Sequence, residues 1–235
     1  MTRCIILLTL FLNPAIAPGQ DAPPQKSPFE HPFTNPVDDP ALPRVLIIGD
    51  SISIGYTTRV RNLLKGVANV HRPKVNCAWS AFGLQNIDSW VGDSDWDVIH
   101  FNFGLWDWYG WKQEEKATPE TYAANLEGIV KKVRAKTDAE LIFAVTTPPC
   151  VGPEKKVKFV VSEERAKEFN KAALAVMKKQ GVKVNDLYNA IAGNREKYQL
   201  GINDVHYNDA GRDVLAAQVA SIIKQALPEA KPASE

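Results

Sequence analysis

Apolar residues fall along this chain in two kinds of block. In the first they run continuously and briefly, as in "RVLIIG" (44–49), "WDVIHFNF" (96–103) and "ELIFAVTT" (140–147). Such runs suit strands that are covered on both faces. Two shorter stretches, "PKVN" (73–76) and "VKVN" (182–185), are strand-like as well. In the second kind of block the apolar residues recur at helical spacing. "YTTRVRNLLKGV" (56–67) carries Val60, Leu63 and Leu64 on one face. Residues 119–136 open with Pro119 and Glu120, both suited to a first helical turn. They then align Tyr122, Leu126, Ile129, Val130 and Val133 in a single stripe. A further helix is predicted from Ser162 to Gly181, a natural C-cap, and a last one over 210–227. Strand and helix blocks alternate, which predicts an α/β domain: a parallel sheet with helices on both faces.

The two ends lack this patterning. Arg3 precedes an apolar run from Cys4 to Leu12, followed by Pro14, Ala15, Ala17 and Gly19. That is the pattern of an export signal over residues 1–19, too short in its apolar part to span a bilayer. The expected location is therefore secreted or periplasmic, and no other run is apolar enough for a membrane span. Residues 20–43 are rich in proline and polar side chains and read as a linker or a surface-hugging arm. The end, 228–235, reads as a frayed tail. The folded unit is expected over 44–227. Loss of the leader removes Cys4 and leaves Cys77 and Cys150, which an oxidising compartment allows to pair or to stay as buried thiols.

Composition narrows the function classes. The chain has 28 Lys and Arg against 27 Asp and Glu, a net charge of +1, so nothing favours nucleic acid as a partner. Lys155, Lys156 and Lys158 lie among glutamates and suit a solvated face. His31, His71 and His100 have no metal-ligand spacing, and no metal is expected.

The chemistry is concentrated where the first strand ends. Gly49, Asp50 and Ser51 follow the apolar run at once, and in open α/β sheets ligands bind at the C-terminal ends of strands. A serine there, at the start of a helix, is placed for a nucleophile or for an anion. The glycine patterns of phosphate and dinucleotide loops are missing, and so is the G-x-S-x-G elbow. Near the other end, His206 sits in a polar turn before the last helix, with Asn203 and Asp204 close by. A serine hydroxyl needs a neutral imidazole to take its proton, and a carboxylate helps to hold that imidazole.

"GDSISIGY" at 49–56 and "DVHYNDAG" at 204–211 together resemble the first and last blocks of the SGNH (GDSL-type) hydrolases. Gly83 in "NCAWSAFGLQNI" and "GLWD" (104–107) fall where that family has its two middle blocks. The resemblance implies a flavodoxin-like, three-layer α/β/α fold with a central parallel sheet of about five strands. It implies two-step acyl transfer with Ser51 as nucleophile and His206 as base, and no cofactor. It also implies an oxyanion hole built from the N–H groups of Ser51 and Gly83. Two positions depart from the family pattern. Trp106 stands where the family has its oxyanion asparagine, and Asn102 is the nearby amide able to replace it. Asn203 stands where the family has its aspartate, so Asp204 or Asn203 is left to orient His206.

Aromatic residues crowd the loops of the same edge. Trp106, Trp108, Tyr109 and Trp111 lie within "GLWDWYGW", and Trp79 precedes Gly83. Trp79, Trp106 and Trp108 are expected to bind substrate, since such rings stack on sugars or hold acyl chains. With export, they point to a carbohydrate esterase that removes acetyl or other small acyl groups from a glycan. A non-catalytic glycan-binding protein on the same scaffold and a lipase or lysophospholipase are the alternatives. The partner in each case is a small ester or an acylated glycan.

Overall fold

The computed structural model describes residues 31–110, 112–113, 116–149, 162–201 and 204–228. The leader, residues 20–30, Trp111, Cys150, the lysines at 155, 156 and 158, Asn203 and the tail from 229 lie outside the described residues.

Five strands form one parallel sheet: β1 (Arg44–Ile48), β2 (Asn69–His71), β3 (Val98–Phe101), β4 (Glu140–Ala144) and β5 (Lys183–Asn185), in the order β2-β1-β3-β4-β5. Helices α1 (Ser51–Leu63) and α8 (Asp209–Ala226) pack together on one face. Helices α2 (Ser80–Val91), α4 (Pro119–Arg134) and α5 (Glu163–Gln180) cover the other. Short helices α3 (Leu105–Tyr109), α6 (Leu187–Ala192) and α7 (Arg195–Tyr198) complete the C-terminal edge and the α8 layer. This is the three-layer arrangement that the alternating blocks predict.

Covering on both faces explains the continuous apolar runs. Val45, Ile47, Ile48, Val98, Ile142 and Phe143 are all fully buried, and Phe101 meets Phe143 edge-on across β3 and β4. The stripe predicted on α4 is the buried face of that helix. Its start is set by Thr118 and Thr121, which cap each other's backbone N–H groups, and α5 ends at Gly181 in the left-handed conformation.

Two expectations are corrected. The second strand is Asn69–His71, not 73–76. Pro73 has no N–H for the ladder, and the preceding Arg72 turns its side chain inward beneath β1. The first helix begins at Ser51 rather than Tyr56, because Asp50 caps it. Residues 31–43 are not a free linker. Asn69 exchanges hydrogen bonds with Asp39 and donates to the Leu42 carbonyl, and Asp38 holds both Arg44 and His71. The arm thus closes the open edge of β2, which otherwise presents unpaired backbone groups.

β1 is the strand at which the chain order reverses, going out to β2 on one side and to β3 on the other. A crevice opens outside the strand ends at such a point. Ser51 follows β1 there.

Candidate active site

The turn that presents Ser51 is built from the backbone upward. Asp50 Oδ1 accepts the Ile52 N–H at 2.9 Å and so starts α1. Ser51 is the first helical residue. Its N–H has no carbonyl one turn back, and it lies at the positive end of the helix dipole. Ser53 Oγ donates to the Asp50 carbonyl at 2.7 Å and draws the first turn against β1. A Cβ on Gly49 would sit 3.1 Å from both Ser53 Cβ and Oγ, so this approach leaves little room for a side chain. Asp50 is fully buried, and burial pushes its carboxyl up to about 6, against the pull of the Ile52 N–H, His206 and Arg72.

The polar turn before α8 brings the imidazole to this serine across 155 residues of chain. His206 Nε2 lies 2.8 Å from Ser51 Oγ. On the far side of the ring, Nδ1 meets Asp204 Oδ1, and the same oxygen accepts the His206 backbone N–H at 2.9 Å. A carboxylate at Nδ1 places the ring proton there, which leaves Nε2 as the acceptor for the serine hydroxyl. Burial raises the Asp204 carboxyl, but hydrogen bonds from His206 and the charges of His206 and Arg212 outweigh it and hold it below its ordinary value. The Asp204 carboxylate thus reaches the ring from two residues back, because the turn folds it under the His206 backbone. Asn203, the other candidate, lies outside the described residues.

The expected oxyanion donors fare differently. The Gly83 N–H lies inside α2 and donates to the Trp79 carbonyl at 2.9 Å, so the helix consumes it. Glycine is required there for packing: a Cβ would stand 2.4 Å from the Phe103 ring. Asn102 is also corrected. Its amide donates to the Ala144 carbonyl at 2.8 Å and to Thr146 Oγ1 at 3.0 Å, tying the ends of β3 and β4 together. Of the three donors expected, the Ser51 N–H is the one not engaged this way.

The tryptophans divide. Trp79 and Trp106 are half-buried and stack on each other, with ring centroids 6.0 Å apart and an interplanar angle of 26°. Lys112 Nζ lies 5.8 Å from the Trp106 ring centre. Trp108 is 2% exposed and belongs to the core beneath α3, so it is not available to a substrate.

One buried group was not foreseen. Asp107 accepts the Ser80 N–H at 3.0 Å and the Ser80 hydroxyl at 2.6 Å, and so caps α2 from another segment. Burial pushes its carboxyl up to about 7, against the pull of the Ser80 hydrogen bonds. Asn125 donates to Ser80 Oγ at 3.0 Å and completes the network. The Asp107–Ser80 bonds fix α3 to the start of α2 and thereby hold Trp106 against Trp79. The signal in the sequence was an acid one residue after Trp106, with no apolar role for it on α3. Cys77 is a buried free thiol, which burial pushes up to about 12. No group of three or more potential metal ligands occurs among the described residues.

Residues 47–214 match the GDSL-like lipase/acylhydrolase family. Among solved structures, a GDSL-like lipase from Bacteroides thetaiotaomicron superposes with a TM-score of 0.64 at 17% identity, over 78% of this chain and 89% of that one. The lipase/acylhydrolase from Enterococcus faecalis gives 0.62 at 21% identity, over 81% and 100%. An acetyl xylan esterase gives 0.62 at 16% identity, over 77% and 99%. At such identities the likeness is one of fold. No curated protein matches the chain.

Proposed function

The chain belongs to the GDSL-like lipase/acylhydrolase family and is an ester hydrolase, and from that premise we propose a serine esterase with Ser51 as nucleophile, His206 as general base and Asp204 as the group that orients the imidazole. The observation that carries this assignment is the contact of His206 Nε2 with Ser51 Oγ at 2.8 Å, with Asp204 on the opposite ring nitrogen. As Ser51 Oγ attacks the ester carbonyl carbon, its proton passes to His206 Nε2. The carbonyl oxygen becomes an oxyanion, held by the Ser51 N–H at the positive end of α1. Collapse breaks the bond to the alcohol oxygen, which leaves with the proton from His206. Water then attacks the acyl-enzyme, again giving its proton to His206, and the acid departs as Ser51 regains its hydrogen.

The proposed substrate is a glycan carrying acetyl or similarly small acyl groups. The stacked, half-buried Trp79–Trp106 pair supports this, since flat apolar rings suit the faces of sugars. Export through the leader at residues 1–19 is proposed with it. The expected result is release of acetate from acetylated xylo-oligosaccharides, with KM raised about tenfold or more in Trp106→Ala and kcat little changed, as for lost ground-state binding. Ready cleavage of long-chain nitrophenyl esters, with no acetate released from any acetylated sugar, overturns the carbohydrate assignment.

A further inference from the structure

We propose that Arg72 is a positioning residue of the nucleophile turn and that the arm over residues 31–43, through Asn35, holds Arg72 in place. This rests on the assignment of Ser51 as nucleophile. The Arg72 side chain is 1% exposed, yet among the described residues it has no carboxylate in hydrogen-bond or ion-pair contact. A buried cation without a paired anion is costly unless its donors are satisfied. Here they are met by neutral oxygens. Nη1 donates to Ser53 Oγ at 3.1 Å and to Thr57 Oγ1 at 3.0 Å. Nη2 donates to the Gly49 carbonyl at 3.2 Å and the Val75 carbonyl at 3.4 Å, and Nε to the Pro73 carbonyl at 3.3 Å.

Three of these acceptors, Gly49, Ser53 and Thr57, bracket Ser51 on the turn and the first turns of α1. One planar guanidinium therefore fixes the strand end and the helix start relative to each other, a task that a flexible point charge performs less well. Ser53 in turn donates to the Asp50 carbonyl, so the clamp reaches the residue next to the nucleophile.

The backbone of Arg72 lies just beyond the end of β2 and, among the described residues, has no neighbouring strand on its outer side. Asn35 takes that place. Its Oδ1 accepts the Arg72 N–H and its Nδ2 donates to the Arg72 carbonyl, both at 3.0 Å. The Phe33 ring lies against the guanidinium, 5.3 Å from its carbon. Asn35 Oδ1 also accepts Arg61 Nη2 at 2.8 Å, which anchors the amide to α1. The arm precedes the family match, which starts at residue 47.

The test is steady-state hydrolysis of p-nitrophenyl acetate by the wild type, Ser51→Ala, Asn35→Ala, Arg72→Lys, the Asn35/Arg72 double variant and Asp38→Ala, with Tm recorded for each. Asp38→Ala loosens the arm at Arg44 and His71 without touching Arg72. Well below each Tm, Asn35→Ala and Arg72→Lys are expected to lose about tenfold or more in kcat with KM within about twofold, as for a misplaced nucleophile. The double variant is expected to lose no more than the weaker single, because both act through one contact. Asp38→Ala is expected to lower Tm and keep kcat. If folded Asn35→Ala keeps the wild-type kcat, or falls only as Asp38→Ala does, the proposal is overturned, and this holds even where Arg72→Lys fails to fold. Activity that persists in Ser51→Ala removes the nucleophile assignment itself and this proposal with it.

Discussion

At the scale of the residue, the proposed activation of Ser51 turns on one carboxylate. Asp204 receives both the ring and the backbone N–H of His206. Asp204→Asn keeps the shape but offers an amide that can force the wrong imidazole tautomer. A fall in kcat of about 10²–10⁴-fold is expected, with KM little changed. Asn203→Ala is expected to stay within about twofold of wild type, since it removes no group assigned to the ring. Equal effects of the two substitutions in the same ester assay contradict the assignment. The meeting of His206 with Ser51 was legible in the sequence, because a Gly-Asp-Ser turn at a strand end and a histidine before the last helix are local patterns. The contact of Asp204 with the ring was not, since it depends on how one turn folds back on itself. Asn102 misled for a related reason. A side-chain amide near a site is as ready to tie strand ends together as to face a substrate.

At the scale of the element, α2 shows how a glycine acquires two readings. Gly83 matches a family block, but its N–H is spent inside the helix and its missing side chain makes room for Phe103. Gly83→Ala is therefore expected to act on stability. Overpacking a buried aromatic ring costs about 1–3 kcal/mol, visible as a lower Tm, while kcat per folded molecule stays within about twofold. A loss of about 10²-fold in kcat in a folded variant would return Gly83 to the oxyanion hole. The helices with clear stripes and caps, α4 and α5, were legible because periodicity and end signals agree there. α2 does repeat Gly83, Ile87 and Val91 at helical spacing, but its start is capped by Asp107 from a different segment, which no local pattern reveals. Trp108 was read as a binding residue for want of the same information. Residues two positions apart on α3 face opposite ways, Trp106 onto Trp79 and Trp108 into the core.

At the scale of the whole molecule, the fold joins distant segments at one crevice, and its stability depends on groups far from it. The alternation of strands and helices was legible in the long elements, because buried parallel strands read as apolar runs, while the short edge strand β2 was not placed by its pattern. The docking of the arm was not, since its contacts are polar and made one by one. His100 lies buried in β3, with Nε2 3.0 Å from Asn185 Nδ2 on β5. Burial pushes its ring down from 6.5 to about 3. The folded protein thus refuses a proton that the unfolded chain accepts. Stability is full above the ordinary histidine range and falls as the pH drops from about 6.5 towards 3. At two units below the ordinary value the loss is roughly 2–3 kcal/mol. His100→Gln keeps a polar partner for Asn185 and does not titrate. Its Tm is expected to fall less between neutral and acid pH than that of the wild type, and parallel curves for the two proteins contradict this.

The central claim, that Ser51 is an activated nucleophile, is tested most directly by treating the folded protein with a fluorophosphonate probe and reading its intact mass beside Ser51→Ala. The expected result is a single adduct on the wild type and none on the variant. A folded wild type that takes up no adduct, or a variant that takes up as much, contradicts the claim.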